Sequence, residues 1–511
     1  MSMKGIVWIV GAGPGDVGLL TMRAYECISR ADCIIYDRLV NKAILRYAKP
    51  SAELIYVGKE PYGHSHSQEQ INQLLVTKVK QGLKVCRLKG GDPFIFGRGG
   101  EEAEALSDAG VPFEIVPGVS SFHAVPAYAG IPLTDRRFAS SVAIVTGHEA
   151  GGGRKLCWKQ LAKAVDTIVV LMGVERLHDI TSKLIRGGLK PSTAAALVES
   201  GTLPSQRVII GTLGSIAEEA RRQGARSPAV LIVGDVVKLR SKLSWFEKKP
   251  LFGMRILVAR DEERSFEMAQ MIEAHGGNAV CLPVLKIELL SDTPKMRLAA
   301  RRLSCGYYDW VVFTSVNGVR AFFSTLHLLG MDARAFGSTR VCAVGDTTAR
   351  EMRMHGIVAD AIPHQFTTEA MASLLKRIGI RGARILMLRA YGAPKKLAKE
   401  LSDAGAIVHE VTAYRVCVND SLSADEMDEA LSSPIDIACF TSPSSLDALF
   451  KIAGRERVSS ALHGATIACI GPVTATCAAK HGLSVNVVAS NHTAQGLIDS
   501  VIEFVKRTRG R

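Results

Sequence analysis

Leu88–Glu102 reads LKGGDPFIFGRGGEE, with five glycines and one proline in fifteen residues, directly after the strand-like LKVCRL of 83–88. Glycine at that density marks an exposed backbone that approaches a ligand closely. Arg98, Glu101 and Glu102 then open a helix. A second glycine-rich turn lies upstream, VGAGPGD at Val10–Asp16, after the apolar run GIVWIV. Gly11, Gly13 and Gly15 suggest a dinucleotide site, and Asp37 sits where a ribose-binding acid would. Two features weigh against that reading. Asp16 occupies the place of the third glycine, where a carboxylate would repel a pyrophosphate, and Pro14 removes a backbone donor. By itself the motif reads either as an NAD or FAD turn or as a tight strand-to-helix turn.

The chain around these loops has 511 residues, 47% hydrophobic and 22% charged, so several α/β domains with large cores are expected. Eleven scattered cysteines without a CxxC pair read as reduced core residues of a cytoplasmic protein. No secretory h-region opens the chain, and no apolar run reaches the ~18 residues of a membrane span. The net charge of +14 is compatible with a solvated basic surface or with a small-molecule partner carrying many carboxylates. Basic residues never cluster beyond VKRTRGR at the C-terminus and no zinc-finger spacing occurs, so neither nucleic acid nor membrane is expected as a partner. His64 and His66 of HSH lack a third ligand at metal spacing and read as polar loop residues; no metal is expected.

Short β-branched runs (GIVWIV, ADCIIYD, LKVCRLKG, SVAIVTG, TIVVLMG, PAVLIVG) alternate with helical patterns to about residue 240, predicting an α/β fold with a mostly parallel sheet. KLSWFEKKPLFG (242–253) interrupts that pattern and reads as a boundary. Beyond it the sequence is duplicated. RILVAR at 255 returns as RILMLR at 384, DWVVFTSVNG at 309 as DIACFTSPSS at 436, CAVGDTTA at 342 as ACIGPVTA at 468, and QFTTEAM at 365 as NHTAQGL at 491. The offsets of 129, 127, 126 and 126 are nearly constant, so two related α/β lobes with a cleft between them are expected. Hydroxyl-rich turns recur after strands (313–318, 440–445, 345–349, 471–475) and read either as donors to an anion or as helix N-caps.

With YDRLV (36–40), VGK (57–59), PAYAGIPLTD (126–135), VTGH (145–148), LMG (171–173), ALVESGT (196–202) and PAVLIVGDVV (228–237), residues 1–245 resemble uroporphyrinogen-III C-methyltransferases of the tetrapyrrole methylase family. The resemblance implies two α/β subdomains, about 1–117 and 118–245, a homodimer through this half, and S-adenosylmethionine as cofactor. It implies Pro14, Gly90, Gly91, Asp92, Ile95, Ser120, Ser121, Met172 and Gly201 at the cofactor site. It also implies Asp37 as proton acceptor, Lys59 as proton donor and Arg98 on the substrate side. Asp135, where the family often has histidine, and FHAVPAYAG after PGVSS depart from the pattern.

TAYRV (412–416), IGPVTA and the duplication make residues 254–511 similar to uroporphyrinogen-III synthases, with 246–253 as linker. That resemblance implies a cofactor-free two-lobed fold in which the first βα unit of each repeat is exchanged. One lobe would hold about 254–286 with 417–511, the other 287–416. It places Tyr414 near the cleft as an aid to hydroxyl loss, with Thr314, Ser315, Asn317, Ser442, Ser444 and Thr474 as donors to substrate carboxylates. The joint expectation is a bifunctional enzyme that closes hydroxymethylbilane to uroporphyrinogen III and methylates it twice to precorrin-2, towards sirohaem and cobalamin. The alternatives are a methyltransferase with a non-catalytic tetrapyrrole-sensing half, or an NAD-dependent oxidoreductase.

Overall fold

The computed structural model describes residues 5–58, 66–148, 156–365 and 367–509. Strands β1 (Ile6–Gly11), β2 (Cys33–Tyr36), β3 (Glu53–Tyr56), β4 (Lys84–Lys89) and β5 (Phe113–Val116) form an all-parallel sheet in the order β3-β2-β4-β1-β5. Its inner strands are continuously apolar because both faces are covered. Val7 and Ile9 of β1 enter one core, and Trp8 and Val10 enter the other.

A second sheet contains β6 (Val142–Thr146), β7 (Thr167–Leu171), β8 (Ala194–Glu199), β9 (Arg207–Thr212) and β10 (Ala229–Val233), ordered β6-β7-β10-β8-β9. Here the expected parallel arrangement fails. Only β6 and β7 run parallel, and β7, β10, β8 and β9 pair antiparallel. The β8–β9 connection spans only Ser200–Gln206, too short for the crossover that parallel strands need. Tandem β-branched runs announce strands without reporting their direction.

The 242–253 segment is packed rather than loose. Phe246 and Leu251 are fully buried, the Trp245 indole N–H donates to the Ala127 carbonyl at 3.0 Å, and Gln206 donates to Glu247 at 2.7 Å. Phe246 also meets Tyr128 edge-on at 4.8 Å.

The remaining strands are β11 (Arg255–Asp261), β12 (Asn278–Leu289), β13 (Trp310–Phe313), β14 (Arg340–Ala343), β15 (Arg384–Ala390), β16 (Ile407–Val418), β17 (Ile437–Phe440), β18 (Thr466–Cys469) and β19 (Val485–Val488). Their order, β14-β13-β15-β16-β12-β11-β17-β18-β19, shows the exchange between repeats. The opening strands of the second repeat, β15 and β16, lie beside β13 and β14 of the first, while β11 and β12 lie beside β17–β19. The cores follow the same division. Leu386, Leu388, Val411 and Ala413 pack with Phe313, Phe322 and Phe323, whereas Leu257, Ala259, Leu282 and Val284 pack with Phe440, Leu446 and Leu449. The two halves of the sheet meet along one antiparallel ribbon, Leu285–Leu289 against Tyr414–Val418.

The cysteine expectation holds only in part. Cys27, Cys33, Cys86, Cys342, Cys439 and Cys469 are buried, but Cys157 and Cys305 are exposed at helix ends and Cys281 at a solvent-facing position within β12. Among the described residues no helix is long and apolar enough to cross a membrane.

Candidate functional site

The glycine-rich loops meet at the carboxyl ends of β1 and β4, where ligands of open α/β sheets bind. Gly13 and Gly91 exchange backbone hydrogen bonds, Gly13 N–H to Gly91 C=O at 3.2 Å and Gly91 N–H to Gly13 C=O at 2.7 Å. The PGVSS turn closes on the same point. A Cβ on Gly118 would stand 2.3 Å from the Gly91 oxygen and 2.7 Å from the Gly11 Cα, so only glycine lets three backbones touch there. Gly13 and Gly91 also hold positive φ angles of 77° and 68°. The Asp92 carboxylate ties the loops together, accepting from Phe94 N–H at 2.8 Å and Gly118 N–H at 3.0 Å.

Gly118→Ala should therefore destabilise by about 2–3 kcal/mol, since the atoms it strikes are backbone that cannot rotate away. Gly100 has open space around its Cβ position within the helix Gly99–Asp108, so Gly100→Ala should be neutral or stabilising. Urea unfolding midpoints of the two variants check the contrast.

Of the other residues implied for the cofactor, Ser120 is buried at the start of the helix Ser121–Tyr128, and the backbone N–H of Ser121 lies 3.8 Å from the Cβ position of Gly91. Pro14 is half-buried in the first loop. Gly201 packs so tightly on Val125 that a Cβ would come within 2.4 Å of its methyl. Met172 is exposed at the end of β7 with φ 54°, a strained conformation for a side chain of that size. Phe94, Ile95 and Phe96 are exposed together on the GGDPFIF loop. Arg98, also left-handed at φ 58°, heads the next helix and pairs with Glu101 at 2.6 Å.

Asp16, the residue that argued against a dinucleotide, has a structural task. Its carboxylate caps a short helical turn through Gly18 N–H at 2.7 Å and accepts the Tyr128 hydroxyl at 2.7 Å. Its N–H donates to Thr202 Oγ1 at 3.1 Å. Asp16 thus links the first glycine loop to the helix and the ESGT loop that belong with the second sheet. Burial and the neighbouring Asp16 carboxylate together push the Tyr128 phenol well above its ordinary range, so it stays a donor.

Asp37 follows β2. One carboxylate oxygen accepts from Leu39 N–H at 3.1 Å and the other lies 3.5 Å from the Arg87 guanidinium. Behind it lies a charge cluster that the sequence reading missed. Arg87 and Lys89 of β4 both reach Glu102, at 3.1 and 2.8 Å, and all three side chains are buried. Burial and Arg87 push the Lys89 ammonium down, with Glu102 opposing. Two cations at i and i+2 on a central strand point to one face, which is the signal that could have predicted a buried anion. Lys59 and His64 lie outside the described residues.

In the duplicated half the hydroxyls act first as caps. Ser315 accepts from Gly318 N–H at 3.2 Å at the start of the helix Val316–Leu328, and Ser442 from Ser445 N–H at 3.2 Å at the start of Pro443–Ala453. The Ser315 hydroxyl proton remains available to donate, whereas the Ser442 hydroxyl already donates to Ser445 Oγ at 3.2 Å. Thr314 donates to the Leu388 carbonyl at 3.1 Å, Asn317 and Thr474 are buried, and exposed Ser444 contacts Ser442 at 3.1 Å. Tyr414 is half-buried at a bulge where β16 leaves β15. The helices Val316–Leu328, Asp346–Met354, Pro443–Ala453 and Pro472–Lys480 all begin just beyond the carboxyl ends of parallel strands β13, β14, β17 and β18. Their N-termini offer N–H donors and positive dipole ends suited to carboxylates.

Comparison with known proteins matches both halves. Residues 7–217 fit the family of tetrapyrrole (corrin/porphyrin) methylases, and residues 267–499 fit the uroporphyrinogen-III synthase HemD family. The porphyrin biosynthesis protein HemD of Ruminiclostridium josui is 37% identical over 502 residues, covering 98% of each chain. A uroporphyrinogen-III C-methyltransferase of Bacillus subtilis (strain 168) is 49% identical over 248 residues, 48% of this chain and 96% of its own. Among solved structures, the Thermus thermophilus uroporphyrin-III C-methyl transferase complexed with S-adenyl homocysteine is 41% identical, covering 46% of this chain and 93% of its own with a TM-score of 0.40. Matched along nearly its whole length, the chain belongs to the fused tetrapyrrole-biosynthesis enzymes that join a tetrapyrrole methylase to a uroporphyrinogen-III synthase.

Proposed function

We propose that the C-terminal half closes hydroxymethylbilane to uroporphyrinogen III with loss of water, and that the N-terminal half methylates this product twice to precorrin-2, with S-adenosylmethionine as donor. The observation that carries the reading is the convergence of the Gly13, Gly91 and Gly118 backbones, with Asp37 at the end of the strand next to β4, in a chain whose other half is a synthase. The functional division follows the sequence boundaries: 1–245, a packed connector at 246–253, and 254–511. The protein works in the cytoplasm as a homodimer through its methylase half, on the branch to sirohaem and cobalamin.

The three-loop junction fits the donor. Glycines keep its rim free of side chains, and Ile95 and Met172 supply exposed apolar surface for a thioether and adenine. When bound, S-adenosylmethionine supplies an electrophilic methyl on a sulfonium, so the protein needs chiefly to align it with a nucleophilic pyrrole carbon. Pro14, Gly90, Gly91, Asp92, Ser120, Ser121 and Gly201 hold the donor's side of the site. Asp92 acts through the loops it ties, because both of its oxygens accept backbone N–H groups. Asp37 takes the proton lost from the methylated ring, Lys59 returns one, and Arg98 binds a substrate carboxylate.

In the synthase half the work is positioning. The helix N-termini with Thr314, Ser315, Asn317, Ser442, Ser444 and Thr474 hold substrate carboxylates, and Tyr414 assists departure of the hydroxyl. No cofactor takes part in that half.

A coupled assay on the full chain tests both reactions. Hydroxymethylbilane alone should yield the type III isomer, and added S-adenosylmethionine should convert it to the dimethylated product. Formation of only the spontaneous type I isomer would make the second half a non-catalytic module. Type III product that stays unmethylated would remove the methylase assignment.

A further inference from the structure

The duplication places equivalent clusters on the two lobes of the C-terminal half, and their chemistry differs. In the first lobe His355 stacks on Phe323 at 4.2 Å and 9°, and Glu351, one turn earlier, pairs with Arg320 at 3.0 Å and with His355 at 3.7 Å. At the repeat offsets of 126 and 127, the second lobe has His481 stacked on Phe450 at 4.3 Å and 18°, with Cys477 in place of Glu351 and Asp447 in place of Arg320. The aromatic stack is kept. The permanent cation has given way to a carboxylate, and the carboxylate to a thiol.

Asp447, Cys477 and His481 place a carboxylate oxygen, a sulfur and a ring nitrogen within 4.8 Å of one another, the only such trio of ligand types among the described residues. Cys477 and His481 are one turn apart on or beside the helix Pro472–Lys480, so they share a face, and Asp447 comes from the helix Pro443–Ala453. Tetrahedral zinc with ordinary bond lengths sets sulfur and oxygen ligands about 3.6 Å apart, and nitrogen and oxygen about 3.4 Å apart. The Cys477 sulfur stands 3.5 Å from the Asp447 carboxylate, already at that spacing. His481 Nε2 stands 2.7 Å from the same oxygen, so the pair must open by about 0.7 Å to admit the ion. The Asp447 side chain is 61% exposed and can make that movement, while the Phe450 stack holds the imidazole in place.

We propose that Asp447, Cys477 and His481 bind one divalent cation of the zinc class, with water in the fourth position. Thiolate, imidazole and carboxylate together favour zinc over magnesium or calcium. On binding, the Cys477 thiol loses its proton to solvent and sulfur bonds to the metal, while His481 coordinates as the neutral ring. The ion would clamp two helices whose N-terminal turns carry Ser442, Ser444 and Thr474. The first lobe cannot do this, because the Arg320 guanidinium fills the equivalent place. The expectation of no metal came from scanning for CxxC and clustered histidines. Neither pattern reaches a trio whose third ligand lies thirty residues away.

The test uses cobalt(II) as probe with the full-length protein. One equivalent should bind with a sulfur-to-cobalt charge-transfer band, and about one proton should be released per ion at neutral pH. Removing an outer-shell partner of a metal site already costs about 10- to 100-fold in affinity, so Cys477→Ser should abolish the band and weaken binding by more than about 100-fold. Asp447→Asn, an exposed change that leaves the helix intact, should weaken cobalt and zinc alike. His355→Ala in the first lobe should change neither. Absence of the band, or a band that survives Cys477→Ser and Asp447→Asn, overturns the proposal and leaves the trio as a hydrogen-bonded helix staple.

Discussion

Asp37→Asn should lower the methylation rate by about 10²- to 10⁴-fold, the range of a single acid–base group, while S-adenosylmethionine affinity and the unfolding midpoint stay close to those of the parent protein. The side chain amide can still accept the Leu39 N–H now held at 3.1 Å, so the turn after β2 keeps its shape. What disappears is the charge facing Arg87 at 3.5 Å, and with it a group able to take a proton from the methylated ring. Single-turnover methylation under saturating donor isolates that loss, and calorimetric titration of the donor reports the binding side separately. A variant within about twofold of parental turnover removes Asp37 from the chemistry. Lost donor affinity at normal turnover would move it to the cofactor site.

The sequence carried the fold where local pattern determines it. Strands β1, β2, β4, β6, β7 and β10 stand where β-branched runs predicted them; for all but the edge strand β6, a strand buried on both faces must be apolar throughout. The constant repeat offset likewise foretold the related lobes, and the family resemblance their exchanged strands. Strand direction in the second sheet was not legible, since it depends on the length of the connection rather than on the strand itself. At the candidate site the glycines could be read directly: a Cβ has no room at Gly11 or Gly118. Asp16 was read as an obstacle to a ligand, yet it is a tether from the first glycine loop to the helix and loop of the second sheet, because its partners Tyr128 and Thr202 lie 112 and 186 residues away. Ser315 and Ser442 had two readings, and the structure shows both as caps, with the Ser442 hydroxyl also donating to Ser445 Oγ at 3.2 Å.

The second large effect belongs to Glu102. It is the anion between Arg87 and Lys89, fully buried, with one oxygen accepting from both cations and from Gln68 at 3.3 Å. Removing one member of a buried ion group costs about 3–5 kcal/mol, because the charges left behind keep their desolvation penalty. Glu102→Leu should therefore lower the urea midpoint strongly at neutral pH, and Glu102→Gln, which retains a hydrogen-bond acceptor, somewhat less. The pH dependence distinguishes charge from packing. Lys89 is already shifted downward by burial and by Arg87, and without Glu102 only these two influences and the more distant Asp37 remain. A lysine whose folded pKa lies below its unfolded value of about 10.4 binds fewer protons in the native state, so stability rises with pH between the two values. The deficit of Glu102→Leu relative to the parent protein should thus shrink from pH 7 towards about pH 10, as Lys89 sheds its proton and the buried charge with it. A deficit independent of pH would assign the loss to packing alone. Because Arg87 also contacts Asp37, any Glu102→Gln protein that stays folded should methylate more slowly at unchanged donor affinity, linking the buried cluster to the carboxylate it supports.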